Sequence, residues 1–385
     1  MDTQPAWQDL CRLLSALWAP GELEPPSPLP WAELADLARG QGVAPFLRVA
    51  LQRAGIRPPA DIQAALDQAF YASALVDTHR LQDLGRILDA LAERDIPVVV
   101  FKGAALGETL YRDIGLRATG DLDLLIHPQH LPACRDLLAG FGYASSEVEL
   151  SPGSHLDYRN EQAFSHPDRV QVMVELHWHL LDVPYYIRKV PIDWFWQHTE
   201  ALEIEGRPVQ VLNPEANLLY LPAHLALHHR FHGLRWFVDL ALLVHKRQAD
   251  LDWASATHAA QEFELLLVLR QTLDRLATHW PSLPLTEPLA RLHGLEPTAF
   301  EQRLFRLLTA EPRSPLLDFY GDILCLPTVA ERARFVLLNV FPQRAYMVKR
   351  YEVKSRWKLP YWYLVRLGEG LHKLTHTIPQ ALRLR

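Results

Sequence analysis

Asp121 and Asp123 stand one residue apart in Leu116-Arg-Ala-Thr-Gly-Asp-Leu-Asp-Leu-Leu-Ile126, a segment that reads as a turn running into a buried strand. Side chains alternate along a strand, so both carboxylates point to one face. Two anions side by side in an apolar setting are unfavourable unless a cation lies between them. A hard divalent ion such as Mg²⁺ is the usual answer, because carboxylate oxygens suit it and its open positions take phosphates. That arrangement is what phosphoryl or nucleotidyl transfer needs.

The residues upstream sharpen this reading. Ile96-Pro-Val-Val-Val-Phe101 is a short, β-branched apolar run and predicts a buried strand. It ends at Lys102-Gly103, after which residues 104–111 read as a helix. Backbone N–H groups and the helix dipole favour phosphate at such a junction. Gly103 lets the backbone approach closely, and Lys102 adds positive charge. A plain strand-to-helix turn with a surface lysine has the same pattern; the Asp pair downstream is what favours the anion site. Gln171–Trp178 predicts a further strand, with Met173, Glu175 and His177 on one face and Val172, Val174, Leu176 and Trp178 on the other. A lone buried Glu is costly, so Glu175 is the third candidate metal carboxylate, the alternative being an edge position facing water. His177 either contacts substrate or hydrogen-bonds Glu175 or a backbone carbonyl.

Phe101-Lys-Gly-Ala-Ala-Leu106, Leu110-Tyr111, Leu116-Arg117, Asp121-Leu-Asp-Leu-Leu125 and Val174-Glu-Leu-His-Trp178 together resemble the bacterial "uncharacterised nucleotidyltransferase" family of the DNA polymerase β-like superfamily. His228-His229, Leu234-Arg-Trp236 and Asp239 resemble the helical segment this family carries after its core. The similarity covers roughly residues 75–245 well and the C-terminal part loosely. The superfamily usually opens its site with Gly-Ser or Gly-Gly; here the pair is Lys102-Gly103, as is common in this branch, and the phosphate-holding serine is absent. The resemblance implies an α+β fold, a small mixed-sheet nucleotidyltransferase core flanked by N-terminal and C-terminal helical domains.

The chain has 385 residues and a net charge of -6, enough for two or three domains and adverse to a dedicated nucleic-acid binder. Its three cysteines, Cys11, Cys134 and Cys325, are far apart, which points to a reducing cytoplasm. The first residues lack a basic region and a long apolar stretch, so no signal peptide is expected, and no segment reads as a spanning helix. Residues 1–95 read as helical, with a proline-rich loop over 20–30. Residues 96–212 form the mixed core, with strands near 96–101, 121–126 and 170–178, a helix near 128–140, a hairpin over 201–212 turning at Glu205-Gly206, and one or two strands between 143 and 166. Residues 213–342 are helical again, Asn213 serving as N-cap and Pro214 as first residue. Residues 343–385 form a basic, aromatic extension.

His224, His228 and His232 fall at i, i+4 and i+8 and would line one helix face. A packed, hydrogen-bonded face is the expectation, with zinc as the lesser alternative, since no glutamate follows His224. Arg235 and Asp239 are spaced to pair with each other; alternatively Arg235 or His229 reaches the cleft to hold a phosphate or the acceptor. Arg117 at the mouth of the strand is a candidate triphosphate clamp. In the extension, basic residues from Arg344 to Arg366 alternate with Tyr346, Tyr351, Trp357, Tyr361, Trp362 and Tyr363. That suits a membrane surface, an RNA or a phosphorylated carrier, or merely aromatics packed inward beneath solvated charges.

The expected chemistry is transfer of an NMP from an NTP, ATP first, to a hydroxyl or phosphate of an acceptor. Asp121, Asp123 and Glu175 would be catalytic and hold Mg²⁺ (or Mn²⁺). Lys102, Gly103, Arg117, His177 and Arg235 would bind the nucleotide. The acceptor class stays open among small molecule, peptide, polysaccharide precursor and tRNA. Two alternatives remain: a toxin-like enzyme acting on tRNA or protein, and a non-catalytic nucleotide-binding protein of the same fold.

Overall fold

Six short apolar runs join into one mixed sheet. The computed structural model describes residues 5–22, 28–117, 119–311 and 315–381; residues 23–27 of the proline-rich loop and the last four of the C-terminal extension lie outside them. The strands are β1 (Val98–Phe101), β2 (Leu122–Ile126), β3 (Glu161–His166), β4 (Arg169–His177), β5 (Thr199–Ile204) and β6 (Arg207–Leu212). Their order is β3-β4-β2-β1-β6-β5. β1 runs antiparallel to β2 and parallel to β6, while β2 runs parallel to β4. The fold is α+β.

The period-2 alternation decides which helices cover which face. Leu122, Leu124 and Ile126 of β2, with Val100, Val174 and Leu176, pack against Leu84, Leu88 and Leu91 of helix Ala60–Ala92 and Leu137 and Leu138 of helix Leu131–Gly140. Phe101 and Leu125 turn the other way, into a core shared by the N-terminal helices and those that follow residue 213. Asp123 lies between Leu122 and Leu124 and so shares the face of Leu125. The predicted acidic face is therefore roofed by helices Pro214–Ala223 and Leu234–Lys246.

Local rules account for most boundaries. Asn213 caps its helix by accepting a hydrogen bond from the Ala216 N–H at 2.9 Å, with Pro214 first in the helix. The β5–β6 turn places Glu205 and Gly206 at φ +52° and +73°, the left-handed pair that a two-residue hairpin requires. Between 143 and 166 the chain forms β3, one isolated bridge from Ala144 to Ser165, and a short helix, Ser154–Tyr158. The helix expected over 104–111 starts earlier, at Lys102, and its second half, Gly107–Tyr111, is a π turn.

A buried ionic joint ties the loop before β2 to the helical roof. Arg117 donates to Asp239 from Nε and Nη2, each at 2.8 Å, and the Tyr111 hydroxyl donates to the same carboxylate at 2.6 Å. Asp239 is fully buried and Arg117 is 4% exposed. Removing one partner of such a pair strands a charge in an apolar interior. Asp239→Ala is expected to cost about 3–5 kcal/mol of unfolding free energy, read as a fall in the urea midpoint at constant slope; a change within about 0.5 kcal/mol would show the joint to be dispensable.

Candidate active site

Strand register brings the acidic residues together. Asp123 on β2 pairs with Phe101 on β1 and with Glu175 on β4, and His177 follows two residues beyond Glu175 on the same face. One residue past Phe101 is Lys102, which takes a left-handed φ of +51°. That conformation costs a non-glycine residue on the order of 1 kcal/mol. The compensation is visible in its contacts: Lys102 Nζ lies 2.7 Å from Asp123 Oδ1 and 3.5 Å from Glu175 Oε2. Burial alone would pull the Lys102 ammonium down, but Asp123, Tyr220, Glu175 and Asp121 together hold it well above the ordinary lysine range.

His177 is the second cation. Its Nε2 is 3.0 Å from Asp123 Oδ1 and 3.4 Å from Glu175 Oε2, and its Nδ1 is 3.2 Å from Glu161 Oε2. Burial opposes its charge, yet hydrogen bonds to Asp123 and Glu175 lift it to about 9. The same two cations pull the other way on Glu175: burial raises its carboxyl, and His177 and Lys102 outweigh that, leaving it at about 2. Asp121, just before β2, is pushed up to about 7 by burial and then by Asp123 and Glu175.

These groups open on a cavity of about 210 Å³. Lys102, Asp121, Glu161, Glu175 and His177 form its sheet wall, while Asp182, Tyr220, His224, His228, His229, Arg235 and Trp236 form its helical wall. Ligand atoms of Asp123, Glu175 and His177 all lie within 4.8 Å of one another, the donor group close enough to share a metal among the described residues. Asp121 borders the cavity but is not part of that tight set.

The donors suit a divalent cation. Asp123 Oδ2 is buried and makes no hydrogen bond, an orphaned carboxylate oxygen on a side chain whose other oxygen meets Lys102 Nζ at 2.7 Å. Asp121, Glu161, Glu175 and Asp182 line the cavity together with Lys102, His177 and Arg235. Carboxylate oxygens are the ligands such hard ions take. As an imidazolium, His177 would have to release a proton to become a ligand.

Two expectations need correction. Arg117 does not stand at the mouth: its guanidinium is spent on Asp239, since that buried carboxylate needs a bidentate partner. Arg235 lies at the cavity wall over the Trp236 ring, 4.8 Å from its centroid, as one of the two expected placements has it. Gly103 is buried away from the cavity, where a Cβ would meet Thr119 Cγ2 at 2.7 Å. The glycine is required by packing against the loop, and Lys102 points into the acidic cluster instead of outward to a phosphate.

The histidine face is packed and hydrogen-bonded. Helix Pro214–Ala223 continues as a π turn over His224–His228, and positive φ at Arg230 and Phe231 ends it. His232 therefore leaves the face and meets Glu311 at 3.3 Å, while His228 Nδ1 contacts Asp182 at 2.9 Å. The three histidines do not assemble into a metal-donor group among the described residues. Instead His224 Nε2 and His229 Nε2 meet at 3.1 Å, which requires one ring to donate and the other to accept.

Glu161 and Asp182 were not anticipated. Glu161 faces His177 across the β3–β4 pair, and the weak alternation in Glu161–His166 was its only trace. Asp182 follows β4 in an irregular segment with no local signature.

The model of a family described as uncharacterised nucleotidyltransferase matches residues 27–281. The chain belongs to that family. The family implies a nucleotide as substrate. A solved structure of an antigenic nucleotidyltransferase-like protein from Paracoccidioides brasiliensis is similar at 18% identity, covering 55% of this chain and 93% of that one. Its TM-score of 0.37 is too low for residue-level comparison. No curated protein matches the chain.

Two outcomes follow from the geometry of this cluster. Lys102→Met removes the resident cation, so Mn²⁺ affinity measured by electron paramagnetic resonance should rise at least about tenfold, on the order of 1.4 kcal/mol; a fall would mean that the lysine helps to hold the ion. Burial and neighbouring cations hold His224 well below the usual imidazole range and His229 at about 4. Such a base takes up fewer protons folded than unfolded. Its stabilisation is complete above the unfolded value of about 6.5 and is lost as pH falls from there toward about 4. His229→Asn should flatten the decline of the urea midpoint over that window, and an unaltered slope would show that the pair does not drive it.

Proposed function

We propose that the protein is a metal-dependent nucleotidyltransferase that moves an NMP from an NTP, ATP first, to an acceptor hydroxyl or phosphate. The observation that carries this reading is the pairing of Asp123 with Glu175 on adjacent strands, one Asp123 oxygen unpartnered, beside a cavity lined by Glu175 and by cationic and aromatic side chains. Asp123 and Glu175 would hold Mg²⁺ or Mn²⁺, with Asp121 at its open side. When bound, that ion offsets charge on the phosphates and on the departing pyrophosphate.

The chain's own residues divide the remaining work. Arg235 borders the cavity and supplies positive charge to the triphosphate. Trp236 and His229, stacked with ring centroids 5.0 Å apart, form an aromatic wall against which a base can lie. Asp121, outside the tight donor set, is the carboxylate left to take the acceptor's proton. The acceptor oxygen forms a bond to the α-phosphorus as the bond from that phosphorus to the pyrophosphate oxygen breaks. Lys102 and His177 keep Asp123 and Glu175 aligned, so positioning and preorganised charge supply the rate without a covalent intermediate. Cys11, Cys134 and Cys325 are all buried and joined by no disulfide, which supports a reducing compartment such as the cytoplasm. No described helix is long and apolar enough to cross a membrane.

One observation favours the non-catalytic alternative: Lys102 already occupies the cation position between Asp123 and Glu175. The two readings part on turnover. Incubated with each α-labelled NTP, Mg²⁺ and a cell extract, the intact protein should label an acceptor. Asp121→Asn with Asp123→Asn should reduce labelling by at least about a thousandfold while circular dichroism is unchanged. Labelling that survives in this double variant, or nucleotide binding with no transfer under any NTP, would overturn the enzyme reading.

A further inference from the structure

Among its described side chains, helix Leu359–Ala381 docks along one side and leaves another open. On the docked side the Tyr363 hydroxyl donates to the Pro342 carbonyl at 2.6 Å, Arg366 Nε donates to the Asn339 carbonyl at 2.7 Å, and Trp362 stacks on Tyr351 with centroids 5.0 Å apart. On the open side Tyr361 is 61% and Leu364 67% exposed, and Trp357, one turn earlier, is 94% exposed. Tyr361, Leu364 and Gly368 fall at i, i+3 and i+7, so they form one stripe, with Trp357 leading into it. Exposed Arg350, Lys354 and Lys358 flank the stripe. Phe341, 54% exposed and 6.3 Å from the Tyr363 ring, widens the apolar surface.

The charge is segregated as well. Residues 343–385 carry ten Lys and Arg against two Glu, in a chain whose net charge is -6. Along the chain the positive charge is thus concentrated in this segment, and the rest of the sequence is net negative.

We infer that this face docks on an anionic phospholipid surface, with the exposed part of the helix lying in the plane of the interface. Three features select lipid over other occupants. Trp and Tyr prefer the headgroup level, where an apolar body and a polar tip are both satisfied. Leu364 in the stripe suits acyl chain, whereas single-stranded RNA calls for open aromatic faces and arginine stacking. Here the Arg366 guanidinium sits over Tyr346 at 5.1 Å and Tyr351 covers Trp362, so those groups are already engaged. A second copy of the chain would bring one basic face against another, which is repulsive. Lysines beside the stripe can lay their stems on apolar surface and reach lipid phosphates with their ammonium groups. Such docking would hold the cavity near acceptors confined to a membrane surface, and it does not depend on the transfer reaction.

The test is flotation of the intact protein with vesicles of phosphatidylcholine containing about one third phosphatidylglycerol, at about 0.1 M salt. Binding is expected, with release by about 0.5 M salt. Trp357→Ala with Tyr361→Ala and Leu364→Ser should lower the bound fraction at least about tenfold, as should Lys354→Glu with Lys358→Glu. All five positions are exposed, and an unchanged melting curve verifies folding. Failure of the intact protein to float, equal flotation with pure phosphatidylcholine, indifference to both variants, or retention on single-stranded RNA without vesicle binding would each overturn the inference.

Discussion

Negative charge concentrated on one face of a sheet is the constraint from which the rest of this structure follows. Parallel pairing of β2 with β4 sets Asp123 beside Glu175, and two ionised carboxylates at that spacing repel each other in a medium far less polar than water. The chain answers with two organic cations. Lys102 accepts an unfavourable backbone conformation to reach them, and His177 holds its proton despite complete burial. The pairing is incomplete, since one Asp123 oxygen has no partner. Carboxylate oxygens in that state suit a hard divalent cation, and the proposed metal site rests on that chemistry.

The cations of the molecule are divided between holding the fold and serving a ligand. Arg117 is committed to Asp239, and with Tyr111 it fastens the loop before β2 to the helix that roofs the cavity. The pair fixes the distance between the acidic wall and the aromatic wall, so its influence on the site is geometric. Arg235 and Trp236 belong to that same helix, Leu234–Lys246, and borrow their position from the joint. The cavity-lining segment His224–His228 is a π turn, as is Gly107–Tyr111, whose Tyr111 meets Asp239, a wider winding that recurs at functional sites because it re-aims a side chain without ending the helix.

Much of this was legible in the residues. Two carboxylates separated by one leucine, a β-branched run ending in Lys-Gly, and alternating Met173, Glu175 and His177 each carry a local period. The strands and the acidic face follow from these, and the α+β class followed from the family resemblance. The hairpin at Glu205-Gly206 and the cap at Asn213 were equally local, since turn and cap chemistry depends on a few consecutive residues. Arg117 and Gly103 misled for one reason. Each has a local reading as a ligand contact, and each was decided by a partner more than ten residues away. Glu161 and Asp182 lay out of reach because nothing near them in the chain marks them.

By itself, then, the amino-acid order determined where strands and helices lie and which strand faces are acidic, because those depend on periodicity over a few residues. Only the tertiary structure decided which cation meets which carboxylate. Lys102 turned inward, Arg117 left the cleft for Asp239, and Glu161 joined His177. Electrostatic pairing in a buried site is settled by distance in space and by desolvation, and neither is written in the spacing of residues along the chain.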